Sequence, residues 1–159
     1  MSTLIELLKT LLTNGQSREG KKMRKIDKII IHCSATPPSM DIGAEEIRKW
    51  HLEKGWSDIG YHDVLRRDGR VEEGRPKHLQ GAHTEGYNKN SLGVCLVGGV
   101  DDKMKAKNNF TPKQFKSLRR LIMLYRAEYP SATIHGHREF SNKECPSFDV
   151  HAWMESEGL

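Results

Sequence analysis

Two runs of aliphatic and β-branched residues along the chain predict buried strands. The first is Ile29-Ile30-Ile31, and the second extends from Ser91 to Val97 and closes with Gly98-Gly99. Because apolar residues fill consecutive positions instead of alternating with polar ones, both faces of each strand are expected to be covered. We therefore expect the two strands to lie side by side inside one sheet.

Helical spacing of apolar residues predicts three helices. The first spans 43–54 and stops at Gly55, a residue suited to a helix end. The second begins at the capping box of residues 111–114, where proline occupies the first helical position, and it ends before Pro130. The third is expected over 149–155. These helices alternate with the predicted strands.

An Asp68-Gly69 pair between two strand-like segments predicts a hairpin. The flanking segments are 61–66 and 70–72, and a two-residue turn of this type needs positive φ at both central positions. Another short strand is expected over 132–135. Strands that alternate with helices indicate an α/β fold, a mixed sandwich around one sheet.

Residues 1–25 differ from the rest of the chain. They combine a short Leu-rich amphipathic stretch with the basic run Lys21-Lys22-Met23-Arg24-Lys25. We interpret 1–25 as an N-terminal extension, helical or disordered, with Met23 as a candidate natural start. A membrane-binding or partner-binding helix is the alternative. The basic run has no interleaved aromatic residues, so it is interpreted as a solvated tail and not as a nucleic-acid arm. Residues 26–159 are then the folded domain.

Composition narrows the class of protein. A chain of 159 residues with 36% hydrophobic and 30% charged residues is the size of one globular domain. The net charge of +5 slightly favours anionic partners such as nucleic acid or a cell-wall polymer. No apolar run approaches the roughly 20 residues of a membrane span, and no secretory signal is recognised. Three cysteines predict synthesis in a reducing cytoplasm, where thiols remain available as ligands.

Two histidines and a cysteine form the main candidate site. His32 ends the first strand, while His137 and Cys145 follow the strand at 132–135. Two imidazoles and one thiolate make a three-ligand zinc set with an open fourth position, as in catalytic zinc sites. Spacing alone leaves other readings open, since strand-end histidines are often only hydrogen bonded, and His135 becomes the ligand if the register shifts. Cys33 and Cys95 are predicted to be buried thiols without chemistry.

The sequence resembles the zinc-dependent N-acetylmuramoyl-L-alanine amidases of type 2, a family that includes the small lysozyme of the T-odd phages and the peptidoglycan recognition proteins. The match runs from about residue 26 to residue 153. It is carried by five strings: Ile31-His32-Cys33-Ser34-Ala35-Thr36, Gly60-Tyr61-His62, Arg67-Asp68-Gly69, the segment from Asn90 to Gly99, and the segment from Lys143 to Asp149. The family fold implied is a single domain whose central mixed, mostly parallel sheet has helices on both faces.

The resemblance also implies site roles. It makes His32, His137 and Cys145 the ligands of one zinc ion in a surface groove, with Tyr61 and Lys143 as catalytic residues. Three further residues are expected, with less support, to bind substrate in that groove: His62, His83 and Trp56. For the two histidines the alternatives are that they orient other groups of the site or are simply hydrogen bonded within the protein.

The activity implied is hydrolysis of the amide bond between N-acetylmuramic acid and L-alanine in peptidoglycan, the chemistry of a bacteriolytic phage or prophage endolysin. The alternatives are a peptidoglycan-binding module without turnover and an additional role in regulating RNA polymerase, as in the phage lysozyme. We expect a monomer with peptidoglycan as its partner. Because no export signal is recognised, the enzyme is expected to reach the cell wall after release or by another export route.

Overall fold

A five-stranded β-sheet forms the centre of the computed structural model, which describes residues 23–159. Its strand order is β3-β2-β4-β1-β5, and every neighbouring pair is parallel except β2 and β3. The strands are β1 (Lys28–Cys33), β2 (Asp63–Leu65), β3 (Val71–Glu73), β4 (Ser91–Leu96) and β5 (Thr133–Gly136). The mixed, mostly parallel sheet is the one that the sequence analysis predicts.

The two predicted buried strands are neighbours. In the β1–β4 register Ile29 lies opposite Leu92, and His32 lies opposite Cys95. The side chains of Ile29 and Leu92 have no solvent exposure, as expected for strands covered on both faces. The same register places His32 at the carboxyl end of β1, close to the surface at which the parallel strands finish.

Three helices flank the sheet within the described residues. They are α1 (Ala44–Glu53), α2 (Pro112–Glu128) and α3 (Val150–Ser156). The predicted capping box at the start of α2 is present, because Thr111 Oγ1 accepts from Gln114 N at 3.1 Å and Gln114 Oε1 accepts from Thr111 N at 3.0 Å. Asp149 caps α3 by accepting from Ala152 N at 3.0 Å.

The helices cover opposite faces of the sheet. Helices α2 and α3 pack on the face that carries Ile29 and Ile31, whereas α1 packs on the other face with Cys95 and Val97. Because successive side chains of a strand point to opposite faces, His32 lies on the α1 face. The helices on both faces confirm the predicted fold class. No helix within residues 23–159 has the length and apolarity to cross a bilayer.

The hairpin between β2 and β3 is present, but its turn differs from the prediction. Gly69 has a positive φ of 88°, whereas Asp68 is not among the positive-φ residues. Gly69 N donates to Arg66 O at 2.9 Å, and Arg66 N donates to Arg70 O at 2.9 Å. This is a three-residue connection with one left-handed glycine, so the expected two-residue turn is wrong.

Arg24 contacts the folded domain although the pattern places it in the extension. Its guanidinium donates to the carbonyl oxygens of Lys77, Lys89 and Ser91 at 3.0–3.3 Å. The solvated-tail interpretation is therefore wrong for Arg24, because a half-buried cation that pairs with several carbonyls is part of the packing. The remainder of the predicted extension, residues 1–22, lies outside the described residues.

Candidate metal centre

The parallel pairing of β1 and β5 brings the predicted metal ligands together. His32 lies near the end of β1, and His137 opens the short 3-10 helix His137–Glu139 that follows β5. Cys145 comes from the loop after this helix. One ligand atom from each of the three residues lies within 4.8 Å of the others, and the rings of His32 and His137 are 4.5 Å apart. The three side chains thus converge at one edge of the sheet.

The distances fit a zinc ion. Bonds of 2.0–2.1 Å to nitrogen and 2.3 Å to sulfur in a tetrahedron separate the two ligand atoms by about 3.6 Å. His32 Nδ1 lies 3.8 Å from Cys145 Sγ. His135 does not belong to this cluster, since its Nδ1 lies 3.0 Å from Glu139 Oε1. The alternative in which His135 replaces His137 therefore does not match the observed register.

Burial keeps both imidazoles in the form that a metal requires. Desolvation is the main cause that holds the pKa of His32 well below its ordinary value, followed by the nearby His83, His137 and Lys143. Desolvation, followed by the Lys143 charge, also lowers the pKa of His137. Both rings are neutral at pH 7, so their lone pairs are available for coordination.

Cys145 contacts Cys33 in two ways. The Cys33 backbone N–H donates to Cys145 Sγ at 3.2 Å, and the two thiols share a hydrogen bond. The shared bond is the main cause that raises the pKa of Cys145 well above its ordinary value, with burial adding to it. A coordinated cation reverses this balance, because a thiol that binds a metal gives up its proton. The backbone contact with Cys33 was not predictable from a sequence pattern.

His83 lines the groove and also contacts His32, one of the predicted metal ligands. Its Nδ1 lies 2.8 Å from His32 Nε2, and its Nε2 lies 3.2 Å from Ser91 Oγ. When His32 Nε2–H donates to His83 Nδ1, the proton of His83 resides on Nε2 and points to Ser91. This chain of contacts leaves His32 Nδ1 free to face Cys145, as an outer hydrogen bond does for a metal-binding histidine.

Gly93 makes room for the His83 ring. A Cβ atom at this position would lie 2.6 Å from ring carbons of His83, a distance that forces one of the two groups to move. Gly93 lies on β4 beside β1, opposite Ile30. The glycine is therefore needed for a close approach of a ring to the strand and not for an unusual backbone conformation.

His62 lies behind the groove. It has no solvent exposure, its Nδ1 accepts from Gly93 N at 3.0 Å, and its Nε2 donates to Leu79 O at 2.9 Å. Burial is the main cause that lowers the pKa of His62 to about 4. Because both ring nitrogens are paired within the protein, we do not keep the expectation that His62 binds substrate directly.

A surface groove lies over the three ligands. One cavity of about 320 Å³ is lined by Tyr61, His137 and Cys145, among others, and a neighbouring cavity of about 570 Å³ continues from it. The two cavities share five lining residues: Trp56, Ala82, His83, His137 and Lys143. Together they form one continuous surface feature, which we call the groove.

The other predicted site residues also line the groove. The ring of Tyr61 lies 5.1 Å from that of His32, and its hydroxyl hydrogen-bonds with the Cys95 thiol. Burial raises the pKa of Tyr61, so its hydroxyl keeps the proton. Lys143 is exposed at the groove margin, and Trp56 is 38% exposed. The Tyr61–Cys95 contact was missed because Cys95 gives only the signal of a buried strand residue.

Comparisons with known proteins agree with this geometry. The sequence profile of the N-acetylmuramoyl-L-alanine amidase family matches residues 22–148. The endolysin of Escherichia phage T7 is 51% identical over 139 residues, which cover 87% of this chain and 92% of that protein. The endolysin of Enterobacteria phage T3 is 50% identical over 133 residues, with 84% and 88% coverage.

Solved structures share the fold. N-acetylmuramoyl-L-alanine amidase LysC from Clostridium intestinale superposes with a TM-score of 0.73 at 25% identity, covering 84% of this chain and 85% of that one. Drosophila PGRP-LB superposes with a TM-score of 0.69 at 27% identity, covering 89% and 91%. With the family profile spanning most of the described residues and a histidine–histidine–cysteine cluster at the sheet edge, the chain belongs to the N-acetylmuramoyl-L-alanine amidase family.

Proposed function

We propose that His32, His137 and Cys145 hold one zinc ion with which the enzyme hydrolyses the amide bond between N-acetylmuramic acid and L-alanine in peptidoglycan. The observation that carries the proposal is the convergence of two neutral imidazoles and one thiol within 4.8 Å at the groove. Because His137 and Cys145 line the groove, substrate that enters it reaches the ligand cluster. The endolysins of phages T7 and T3 support a role in lysis of the bacterial cell wall.

The donor set suits catalytic zinc better than structural zinc. Structural sites fill all four positions with protein ligands, whereas catalytic sites use three and keep one open. A zinc ion bound in this way supplies a water of pKa about 7 and polarises the substrate carbonyl. The thiolate leaves one net positive charge on the centre, so the metal is a milder Lewis acid than in an all-histidine site.

His83 acts as a positioning residue for His32. It contacts the nitrogen of His32 that faces away from Cys145, at 2.8 Å, and is itself held by Ser91. Burial lowers the pKa of His83 to about 3, so this ring accepts the hydrogen bond in its neutral form. His83 thereby fixes both the orientation and the tautomer of His32.

Tyr61 and Lys143 stabilise the negative charge that develops on the carbonyl oxygen. Tyr61 retains its proton because burial raises its pKa, and Lys143 brings positive charge close enough to lower the pKa of His32 and His137. A well-placed donor of this kind contributes roughly 3 kcal/mol to stabilisation of the transition state. Trp56 supplies an aromatic surface in the groove for the glycan or the stem peptide.

A peptidoglycan-binding module without turnover is not favoured. A binder has no need of a thiol at the position of Cys145, and here that thiol completes a three-ligand set. The expected result is therefore catalysis and not recognition alone. No observation on the described residues favours a role in regulating RNA polymerase.

The test follows free amino termini of L-alanine released from purified peptidoglycan by the zinc-loaded protein. We expect release that stops with a chelator and returns with zinc, and we expect His137→Ala to abolish it. His78→Ala is the matched control, because His78 lines a separate cavity and is absent from the ligand cluster. Normal binding to peptidoglycan without any release of amino termini would mean that the proposed activity is wrong.

A further inference from the structure

A second cluster of potential metal ligands lies beside the first. It consists of His135 on β5, Glu139 at the end of the short 3-10 helix, and His151 on α3. One ligand atom from each residue lies within 4.8 Å of the others. We propose that this cluster is a second binding site for a divalent transition metal ion of the zinc class, separate from the catalytic centre.

The geometry is close to that of a coordinated ion. His135 Nδ1 lies 3.0 Å from Glu139 Oε1, and His151 Nε2 lies 2.9 Å from the same oxygen. Bonds of 2.0–2.1 Å in a tetrahedron separate neighbouring ligand atoms by about 3.4 Å. A shift of a few tenths of an ångström in each side chain therefore admits an ion. Two imidazoles and a carboxylate are a donor set that zinc accepts.

Contacts behind His135 are compatible with a tautomer in which it acts as a ligand. Its Nε2 lies 2.6 Å from Thr133 Oγ1, and that hydroxyl lies 3.4 Å from Asp27 O, which can only accept. When Thr133 donates to Asp27, the hydroxyl accepts from His135 Nε2–H and the lone pair of Nδ1 faces Glu139. In that tautomer His135 Nδ1 and Glu139 Oε1 are two acceptors 3.0 Å apart, and a metal ion between them removes their repulsion.

The carboxylate of Glu139 links this second cluster to the catalytic loop. Its other oxygen, Oε2, accepts from Gly136 N at 2.6 Å, immediately before His137. The three ligands come from β5, the 3-10 helix and α3. An ion here joins α3 to the segment after β5, at a site separate from the groove residues.

Exposure sets the expected strength of the second site. The side chain of His151 is 59% exposed and that of Glu139 is 32% exposed, whereas His32 is 1% exposed. An exposed side chain loses more rotamer freedom on binding than one already held by packing. We therefore expect the second ion to bind more weakly than the first and to leave earlier during dialysis against a chelator.

The test counts zinc in the folded protein by equilibrium dialysis at micromolar free zinc after removal of all metal. We expect two zinc ions per wild-type chain and one per chain for both Cys145→Ser and His151→Ala. The variant with both substitutions should bind none. His78→Ala should still bind two, because His78 belongs to neither cluster. If the wild-type chain binds only one zinc ion, and His151→Ala still binds one, the proposal is wrong.

Cobalt spectroscopy distinguishes the two sites independently of activity. In Cys145→Ser, Co²⁺ held by His135, Glu139 and His151 should give ligand-field absorption without the sulfur charge-transfer band of the wild type. Glu139→Gln should remove that absorption while its amide oxygen still accepts from Gly136 N, so a folding defect is not the cause. Absence of any cobalt absorption in Cys145→Ser, with the fold intact by circular dichroism, contradicts the second site. Because this readout is cobalt binding, it tests the second site even if the protein has no amidase activity.

Discussion

Two clusters at one edge of the sheet combine histidine with an anionic ligand, and they differ chiefly in burial. The cluster of His32, His137 and Cys145 lies under the groove, with neutral imidazoles and a second histidine behind the first ligand. The cluster of His135, Glu139 and His151 lies at the surface, where a single carboxylate oxygen already contacts both rings. Burial therefore prepares the first cluster for coordination before any metal arrives. In the second cluster an ion has to displace the existing contacts between Glu139 Oε1 and the two rings.

Removing the sulfur ligand should give the largest effect. Cys145→Ser is expected to lose zinc from the buried cluster and to lower amidase activity by more than about 100-fold. This exceeds the loss of about 10- to 100-fold that is usual when a residue that only hydrogen-bonds a metal ligand is removed. Zinc content and release of L-alanine amino termini measure the two consequences. His151→Ala is the comparison from the exposed cluster and should keep nearly full activity. Full activity in Cys145→Ser removes the cysteine from the ligand set.

Tyr61→Phe and Lys143→Ala should separate chemistry from metal binding. Each loses a donor to the carbonyl oxygen, so kcat should fall by about 100-fold, the rate equivalent of roughly 3 kcal/mol. Zinc content should stay at the wild-type level, because neither residue belongs to the ligand cluster. If either variant loses zinc, its role is structural and the assignment to the oxyanion is wrong.

Acid should destabilise the fold through its buried histidines. The folded-state pKa of His62 is about 4, below the unfolded value of about 6.5, so the unfolded chain binds more protons between these pH values. The free energy of unfolding should fall by about 3 kcal/mol for this residue as the pH drops through that window. Urea unfolding of metal-free protein at pH 7 and pH 4.5 measures the loss. In His62→Asn the free energy of unfolding should depend less steeply on pH than in the wild type. An unchanged dependence would show that the pKa of His62 is not lowered in the folded protein.

The positioning role of His83 should have the smallest effect of this set. His83→Ala is expected to weaken zinc binding by about 10- to 100-fold, because His32 loses the partner that fixes its tautomer. Gly93→Ala should act in the same direction, since its Cβ displaces the His83 ring. His83→Asn, whose amide oxygen can accept from His32, should recover part of the affinity. Zinc titration against a competing chelator measures these affinities. Wild-type zinc affinity in His83→Ala and in Gly93→Ala would contradict the positioning role.

The sequence predicted those features that depend on local patterns. Consecutive apolar residues identified β1 and β4 as buried neighbours, and the Thr111–Gln114 capping box fixed the start of α2. These two inferences succeeded because each rests on periodicity or on a cap that the chain itself specifies. Spacing placed His32 and a second histidine at the ends of two strands, but it left His135 and His137 as alternatives, and the resemblance to the amidase family selected His137.

Features that depend on tertiary packing were not predictable. Nothing in the sequence indicates that Arg24 donates to carbonyl groups far along the chain. The resemblance placed His83 near the site, but it did not identify His32 as the residue that His83 contacts. The Asp68-Gly69 pair fits two kinds of hairpin turn, and the surrounding strands select the one with a single positive φ. His62 stands next to Tyr61 in sequence, yet packing buries His62 completely and leaves Tyr61 lining the groove.

The most direct test of the account is an anomalous-difference map at the zinc edge from crystals of the zinc-loaded protein. The account predicts a strong peak about 2.3 Å from Cys145 Sγ and about 2.0–2.1 Å from a ring nitrogen of each of His32 and His137. A map with no peak at this cluster, from protein that still releases L-alanine amino termini, would contradict it.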